Sequence, residues 1–379
     1  MRKKIVILGI TGSIGKSALD VIRKHSDKYK IVLASSHNRY EDLLKISDEF
    51  NIPKIAVTNA IYQRKINTDK QIYFGEDELL LVLDNLDYDI LLNAVVGSAG
   101  LKYTLSGVRS EKIIALANKE SLVMSGDIID KLISQNNAKL IPVDSEHSAI
   151  MQCLLGVKDS AEIRKIILTA SGGPFRNRPF EDFESITLAD TLNHPTWNMG
   201  NKITVDSATM ANKGLEVIEA HHLFKLPFEQ IETIIHPQSI IHSFVEFVDG
   251  SILSQLSFPD MKIPIQLALS YPERIPATAK FTDISLLPDL TFEKMDYQKF
   301  PLLEIAYEVG KAGGIMPTVF NAANEAAVSL FLNGKIHFTE IMKIIETSLD
   351  ISNILDPDIE TILSINEEIK LKIFSQFQL

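Results

Sequence analysis

Lys3-Lys-Ile-Val-Ile-Leu8 and the turn that follows it, Gly9-Ile-Thr-Gly12-Ser-Ile-Gly15, indicate the fold class. The apolar, β-branched run predicts a buried strand, and the amphipathic stretch from Ile14 to Arg23 predicts a helix after the turn. A second apolar run, Ile31-Val-Leu-Ala34, completes a β-α-β unit. Glycines at such a turn let the backbone approach a pyrophosphate, which the helix N-terminus attracts. The stretch therefore predicts a Rossmann-like dinucleotide-binding domain, and a tight turn that binds no ligand is the alternative.

The end of the second predicted strand bears on the choice between NAD and NADP. An NAD site would place Asp or Glu about 20 residues beyond the glycines, to hold the ribose 2′-hydroxyl. This chain has Ser35-Ser36-His37-Asn38-Arg39 there, with no acidic residue before Glu41. Polar and cationic groups suit a 2′-phosphate, so the sequence favours NADP. His37 or Arg39 is the candidate charge partner.

Length, charge and cysteine content exclude several classes of protein. A chain of 379 residues predicts two or three domains. The formal net charge of −11 argues against general nucleic-acid binding. Cys153 is the only cysteine, which excludes disulfide scaffolds and cysteine-based zinc sites. The basic N-terminus precedes an apolar run too short to span a membrane, and we expect the protein to be cytoplasmic.

Four regions are predicted along the chain. Residues 1–143 alternate strands and helices, as in a parallel sheet, and form the dinucleotide-binding domain. Residues 144–280 mix both element types, with a hairpin signal at Asp249-Gly250, and are predicted to be a central α+β domain. Residues 281–300 are a predicted connector, and residues 301–379 a C-terminal helical bundle. The expected fold class is thus α/β.

Polar turns follow several predicted strands of the first region. Gly97-Ser-Ala-Gly100 and Asn118-Lys119-Glu120 each come after an apolar run, and a further run leads to Asp144. Ligands of open α/β sheets bind beyond the carboxyl ends of the strands. These turns are therefore candidate ligand contacts.

Residues 206–216 hold a second group of candidate ligands, including Ser207. Asn212, Lys213 and Glu216 are spaced by three and four residues, so a helix would present all three on one face. Asparagine, lysine and serine are donors that suit a phosphate. Glu216 would add a carboxylate to the same face.

Asp144, Ser145 and Glu146 hold the other candidate carboxylates. Asp144 and Glu146 are two residues apart, so an extended backbone would place both side chains on one side. With Glu216 they could form a site for a hard cation beside a phosphate site. Taken singly, each is more often an ordinary surface charge, but the dinucleotide turn favours the functional interpretation.

Taken in order, these motifs resemble the 1-deoxy-D-xylulose 5-phosphate reductoisomerase family, and the resemblance spans nearly the whole chain. The motifs are Gly12-Ser-Ile-Gly15, Asn118-Lys119-Glu120-Ser121, Asp144-Ser145-Glu146, Ser171-Gly-Gly-Pro-Phe175, His194-Pro-Thr-Trp197-Asn-Met199-Gly200 and residues 206–216. The resemblance implies rearrangement of 1-deoxy-D-xylulose 5-phosphate by retro-aldol cleavage and re-addition. Reduction by NADPH then gives 2-C-methyl-D-erythritol 4-phosphate, a precursor of isoprenoids.

The resemblance also implies roles for individual residues. The divalent-metal ligands, for Mg²⁺ or Mn²⁺, would be Asp144, Glu146 and Glu216. The contacts to the substrate would be Lys119, Ser145, Glu146, Ser171, His194, Trp197, Ser207, Asn212, Lys213 and Glu216. The contacts to NADPH would be Thr11, Gly12, Ser13, Ile14, Ser36, His37, Asn38, Asn118, Glu120 and Gly200. The catalytic group would be Lys119, Asp144, Glu146, Glu216 and His194. Residues 144–280 would be the catalytic domain, with a mobile flap at residues 194–200.

Two departures from the family pattern and one open assignment remain. Ile10 replaces a serine that is frequent in the glycine turn, and Ser36-His37 replaces a frequent Gly-Lys or Gly-Arg. The second change weakens the expected grip on the 2′-phosphate, and Arg39 is a candidate to compensate. The general acid/base is not identified: Lys119, Glu146 and a metal-bound water are candidates.

Two other functions and a zinc site fit the sequence less well. A semialdehyde dehydrogenase would need Cys153 as its nucleophile, whereas an apolar helical setting predicts that this cysteine is part of the core. A non-catalytic NADP sensor would leave the carboxylates as surface charges. His221-His222 could suggest zinc, but adjacent histidines at a helix end are mostly capping or surface groups. The sheet edge offered by the predicted hairpin favours a homodimer, as the resemblance does.

Overall fold

The structure is a computed structural model that describes residues 2–66, 68–197 and 199–377. The chain folds into two compact units that interleave along the sequence. The first unit comprises Met1–Ser121, Ile129–Ser148 and Asp260–Phe281. The second comprises Leu122–Ile128, Ala149–Pro259 and Thr282–Leu379.

The first unit contains a parallel sheet, which has seven strands in the described part of the chain. The strands are β1 (Lys3–Leu8), β2 (Tyr29–Ser36), β3 (Lys54–Val57), β4 (Gln71–Phe74), β5 (Ile90–Asn93), β6 (Ile113–Leu116) and β7 (Lys139–Pro142). Their order, β4-β3-β2-β1-β5-β6-β7, reverses direction between β1 and β5. This is the doubly wound arrangement, in which ligands bind beyond the strand ends near the reversal.

Helices cover both units. In chain order they are α1 (Ser13–Lys24), α2 (Tyr40–Glu49), α3 (Gly75–Asn85), α4 (Leu101–Arg109), α5 (Glu120–Gln135), α6 (Ser145–Cys153), α7 (Leu188–Leu192), α8 (Asn201–Ala208), α9 (Ala211–Phe224), α10 (Lys262–Ser270), α11 (Pro301–Ala312), α12 (Met316–Leu332), α13 (Phe338–Ser348) and α14 (Ile359–Gln376). None of the helices in the described ranges is both long and apolar enough to cross a membrane.

The second unit combines a mixed sheet with most of the helices. Its strands are β8 (Ile163–Ala170), β9 (Ile231–Ile235), β10 (Ile241–Phe247), β11 (Ile252–Leu256) and β12 (Glu293–Lys294), in the order β11-β10-β8-β9-β12. The β8–β9 pair is parallel and the other pairs are antiparallel. One hydrophobic core joins β8, α9, α11, α12 and α13, since their apolar side chains are almost fully buried.

The predicted fold class and most predicted elements are confirmed. The opening strand and its glycine turn appear as β1 and the start of α1, and Asp249-Gly250 lies in the turn between β10 and β11. The sequence did not predict β4, β9 or β12, because each is short and lacks a long apolar run.

Residues 260–281 pack in the first unit. The sequence had placed residues up to 280 in the central domain. The Lys3 ammonium donates to the Leu269 carbonyl (3.5 Å), and His25 Nε2 lies 2.9 Å from the Pro276 carbonyl. The apolar face of α10 contains Ile265 and Leu269, both buried. A boundary drawn from changes in pattern cannot detect such a return of the chain. The functional division into 1–143, 144–280, 281–300 and 301–379 stays a prediction.

Candidate active site

The glycine turn after β1 has the geometry of a backbone cradle. Gly9 has φ +76°, and a Cβ there would lie 2.5 Å from the Ala94 carbonyl oxygen. A Cβ on Gly15 would collide with the backbone of Ile10. Gly12 is the N-cap of α1 and provides no side-chain cap. The first N–H groups of α1 therefore suit an anion such as a pyrophosphate.

The end of β2 brings together residues from three strand ends. Ser36 is buried and its hydroxyl lies 3.0 Å from that of Thr11. His37 and Asn38 are exposed; His37 Nδ1 lies 2.9 Å from Thr58 Oγ1, and the Asn59 amide donates to Asn38 (2.8 Å). Thr58 and Asn59 were not among the predicted site residues. Their position directly after β3 was the available signal.

Asn118 organises the ends of β5 and β6. Its amide nitrogen lies within hydrogen-bonding distance of the carbonyls of Val95 (2.9 Å) and Gly97 (2.8 Å) and of Glu120 Oε2 (3.0 Å). A Cβ on Gly100 would overlap the same amide. The side chain of Asn118 therefore holds neighbouring turns in place.

Asp144, Ser145 and Glu146 do not form the predicted extended segment. Ser145 and Glu146 open α6, and Asp144 Oδ1 accepts a hydrogen bond from the Glu146 N–H (3.2 Å) in the manner of an N-cap. The prediction of an extended backbone was wrong, because an aspartate after a strand end caps a helix readily. Lys119 Nζ lies 2.7 Å from Asp144 Oδ2, and both side chains are largely buried.

The predicted face of α9 is confirmed. Asn212 and Lys213 both contact the carboxylate of Glu216, which is 1% exposed. Lys213 is 3% exposed, so the ion pair is shielded from water. Burial of two charges is costly unless they are paired and hydrogen-bonded, which this arrangement provides.

The turn after β8 lies directly against the end of α8. Gly172 and Gly173 have φ of +89° and +65°, conformations that favour glycine. A Cβ on Gly173 would lie 2.8 Å from the carbonyl oxygen of Ser207. Ser171 and Ser207 are both half-buried, and the approach of Gly173 to the Ser207 carbonyl shows that their backbone segments are neighbours.

His194 connects this turn to the segment that follows α7. Its Nδ1 accepts hydrogen bonds from the N–H groups of Thr196 (3.2 Å) and Trp197 (2.9 Å), and its Nε2 lies 3.2 Å from Ser171 Oγ. Burial lowers the pKa of His194, which favours the neutral ring. Because Nδ1 accepts, the proton is on Nε2, which donates to Ser171.

The bonding of Ser171 Oγ sets the direction of its own proton. The oxygen accepts from His194 Nε2–H and from the Gly173 N–H (3.2 Å). A hydroxyl has two acceptor positions and one donor. With both acceptor positions used, the Ser171 O–H is left to donate to a ligand.

The predicted flap is described except for Asn198, which lies outside the described residues. The Trp197 ring is 6.4 Å from the His242 ring, centroid to centroid, and Thr196 Oγ1 donates to the Pro237 carbonyl (3.4 Å). Gly200 is exposed and is the N-cap of α8. The segment thus ends at a helix that leads to Ser207.

Cys153 and His221, on which the rival hypotheses depend, both pack against other parts of the protein. Cys153 is half-buried against the core, and burial raises the pKa of its thiol to about 11. A neutral thiol is a poor nucleophile, which argues against a semialdehyde dehydrogenase.

His221 stacks on Phe228 (4.4 Å between ring centroids), and its Nδ1 lies 2.7 Å from the Leu226 carbonyl. These contacts account for that ring without a metal.

Three family profiles match this sequence. They are described as 1-deoxy-D-xylulose 5-phosphate reductoisomerase over residues 5–126, its C-terminal domain over residues 140–224, and the DXP reductoisomerase C-terminal domain over residues 256–372. The chain is 50% identical over 356 residues to the 1-deoxy-D-xylulose 5-phosphate reductoisomerase of Clostridium kluyveri, covering 92% of each protein. It is 48% identical over 372 residues to that of Geobacillus sp., covering 97% of each.

Solved structures give the same similarity in three dimensions. A DOX-P reductoisomerase in complex with NADPH, fosmidomycin and magnesium has a TM-score of 0.94 and 38% identity to this chain, covering 100% of it and 98% of the solved chain. The enzyme from Zymomonas mobilis in complex with NADPH has a TM-score of 0.91 and 38% identity, covering 100% and 99%.

Proposed function

The chain belongs to the 1-deoxy-D-xylulose 5-phosphate reductoisomerase family, and from that premise we propose how its residues carry out the family's reaction. The protein is an NADPH-dependent oxidoreductase that converts 1-deoxy-D-xylulose 5-phosphate to 2-C-methyl-D-erythritol 4-phosphate, on the methylerythritol phosphate route to isoprenoids. Its cofactors are NADPH and Mg²⁺. Mn²⁺ is a proposed alternative, because carboxylate ligands also suit that ion.

The observation that carries this assignment within the structure is the donor set of the second unit. The first unit alone would suit many dinucleotide-dependent enzymes. The second adds the Ser171 O–H, directed outward by His194 and Gly173, together with Lys213 on the buried face of α9. Hydroxyl, amide and ammonium donors in a protein of net charge −11 form a local site for a phosphorylated substrate.

The NADPH site is proposed at the carboxyl ends of β1, β2 and β6. Thr11, Gly12, Ser13 and Ile14 would hold the pyrophosphate, since this turn has no side-chain cap and its glycines allow close approach. Ser36, His37 and Asn38 would contact the adenosine ribose and its phosphate. Asn118 would act mainly through the turns it holds, with Glu120 as its partner, and Gly200 would lie near the nicotinamide.

Asp144, Glu146 and Glu216 are the proposed metal ligands. All three are carboxylates, and hard divalent cations take oxygen ligands. Asp144 and Glu216 contact lysines, Lys119 and Lys213, which a bound cation would have to displace or share. It is the oxygen chemistry of the three carboxylates that fits a hard divalent cation.

The substrate phosphate is proposed to bind Ser171, Ser207, Asn212 and Lys213, with His194 orienting Ser171. Lys119 and Ser145 would contact the sugar backbone. Glu146 accepts a hydrogen bond from Ser145 (2.5 Å), which fixes its carboxylate near that hydroxyl. Lys119 and Glu146 remain the candidate acid/base residues.

The reaction needs stabilised charge, a hydride donor and exclusion of water. When bound, a divalent cation supplies Lewis-acid stabilisation of negative charge on the substrate oxygens, and NADPH supplies the hydride for the aldehyde. Lys119 can hold or donate a proton at Nζ. The segment 194–200, with Trp197, would close over the substrate and keep water from the reactive fragments.

A homodimer and a cytoplasmic location are also proposed. β11 lies at the edge of its sheet and exposes Ile252 (54%) and Leu253 (50%), while Val248 in the adjoining turn is 66% exposed. Apolar side chains at an unpaired edge favour association with a second copy. The cytoplasm is proposed because a sugar phosphate and NADPH are metabolites of that compartment.

The function is tested by NADPH oxidation on addition of 1-deoxy-D-xylulose 5-phosphate, with Mg²⁺ and with excess chelator. We expect oxidation only with metal, and a product identified by mass as 2-C-methyl-D-erythritol 4-phosphate. Binding of NADPH without any turnover would instead support the NADP-sensor alternative.

Substitution of His37 by arginine should tighten NADPH binding selectively. His37 is exposed beside Thr58, and a guanidinium there would hydrogen-bond the 2′-phosphate. A hydrogen bond to a charged group contributes roughly 1.5–3 kcal/mol, so Kd for NADPH should fall about tenfold or more. Fluorescence titration measures Kd for NADPH and for NADH, with N85R as a control for added charge. An equal gain for NADH, or equal affinity of the unmodified protein for both, would contradict the assignment.

A further inference from the structure

Asp206 is a buried carboxylate one residue before Ser207. It is 2% exposed, and each of its oxygens has a partner. Oδ2 lies 2.8 Å from the Lys202 ammonium, one turn earlier on α8, and Oδ1 accepts from the Asn324 amide on α12 (2.8 Å). A buried carboxylate is tolerated only with such partners. The pair on α8 alone would leave Oδ1 without a donor, so Asn324 completes the site.

The charges on α8 oppose the helix dipole. Lys202 lies in the first turn, where a positive charge is unfavourable, and Asp206 lies in the last, where a negative charge is unfavourable. Their positions are therefore not explained by helix stability. α8 runs from Gly200, the end of the flap segment, to Ser207, so both charges lie on the element that joins flap and phosphate donor.

The orientation of Asn324 is determined by its partner. A carboxylate only accepts hydrogen bonds, so the NH₂ group of Asn324, and not its oxygen, must face Asp206. Asn324 is fully buried, and its neighbours on α12 pack into the core of the second unit. The contact therefore ties α8 to a buried helix that carries no proposed substrate ligand.

Further charged side chains, Glu325 and Lys370, lie near the contact between Asp206 and Asn324. Burial alone would raise the pKa of Glu325, but the positive charges of Lys202 and Lys370 lower it below its ordinary value. Lys370 on α14 contacts Glu325 (2.5 Å), and the Asn321 amide donates to it (3.1 Å). Lys202 and Asp206 on α8 thus lie in a cluster of two lysines and two carboxylates, with Glu325 and Lys370 as the other members.

We propose that Asn324 is a positioning residue for the phosphate subsite: through Asp206 it fixes the part of α8 that presents Ser207. The inference rests on the proposed function only in assigning Ser207 to the phosphate. Asn324 is not among the proposed substrate contacts, and it acts through α8 alone. Loss of its amide should therefore weaken phosphate binding more than NADPH binding.

The test is N324D, which places a second carboxylate against Asp206 with almost no change in shape. At pH 8 the two carboxylates repel and α8 shifts, so Kd for inorganic phosphate, measured by calorimetry, should rise about tenfold. KM for the sugar phosphate should rise in parallel, with a smaller change in kcat. As the pH is lowered, the two carboxylates of N324D come to share a proton. The ratio of its Kd for phosphate to that of the unmodified protein at the same pH should therefore fall towards one.

N366D is the matched control. Asn366 is 2% exposed, lies on α14, and its amide donates to the Glu367 carboxylate (2.9 Å). N366D therefore makes the same charge change away from α8, and it should leave Kd for phosphate unchanged. N324S, which removes the amide without adding charge, should reproduce the weakening if N324D fails to fold.

Three outcomes overturn the proposal. They are an unchanged Kd for phosphate in both N324D and N324S, equal weakening in N366D, and weakening that does not recover at lower pH. Calorimetry does not require turnover, so failure of the proposed function would be visible separately, as absence of NADPH oxidation by the unmodified protein.

Discussion

Replacing Glu216 by glutamine should remove almost all turnover. The substitution preserves the shape of a side chain that is 1% exposed and contacts Lys213 and Asn212. It removes a negative charge from the proposed cation site, and it leaves Lys213 beside a neutral amide. We expect kcat/KM to fall by roughly 10³-fold, about 4 kcal/mol of transition-state stabilisation. Steady-state NADPH oxidation at saturating Mg²⁺ measures the effect.

Two controls separate loss of metal from loss of structure. Kd for NADPH should be nearly unchanged in E216Q, because the dinucleotide turn lies in the first unit. E229Q removes a carboxylate that pairs with Lys311 at the surface, and it should keep normal activity. Activity of the unmodified protein that survives excess chelator would rule out the metal assignment, whatever E216Q does.

The elements predicted well are those whose signal is local. The run 3–8 and the turn after it carry strand, turn and helix information within a few residues, and they became β1 and α1. Asp249-Gly250 predicted a hairpin for the same reason, since the turn type depends on those two residues. β12 has two residues and pairs with β9 from a distant part of the chain, so no local pattern could reveal it.

The residues of the candidate site also fall into those that a local pattern predicts and those that depend on contacts distant along the chain. The spacing of Asn212, Lys213 and Glu216 is a property of one helix, and the structure confirms it. Asp144 and Glu146 were predicted to be extended, because their spacing fits a strand equally well; only the capping hydrogen bond distinguishes the two. Asn324 could not be predicted, because its partner Asp206 is 118 residues away along the chain.

Two substitutions of His194 should separate its two roles. Asparagine places an oxygen where Nδ1 lies, so H194N should still accept from the N–H groups of Thr196 and Trp197 as in an Asx turn. Glutamine reaches towards Ser171 instead, so H194Q should keep the hydrogen bond that orients Ser171 and lose the acceptor for the N–H groups of Thr196 and Trp197. Each variant should lose roughly 10²-fold in kcat/KM, because each misplaces one part of the site.

Trp197 distinguishes the variants because it is the only tryptophan. A hydroxamate phosphonate with Mg²⁺ should close the proposed flap of the unmodified protein and shift Trp197 emission to shorter wavelength, since closure removes water from the ring. H194N should retain the shift but need more ligand, whereas H194Q should bind with little shift. Burial lowers the pKa of His194, so the neutral ring and its stabilisation persist above the ordinary histidine pKa of ~6.5. The neutral ring also persists somewhat below that pH and is lost only as the pH falls through the lowered pKa, because a protonated Nδ1 cannot accept from Thr196 and Trp197. Full inhibition without any shift in the unmodified protein would show that residues 194–200 do not cover the substrate.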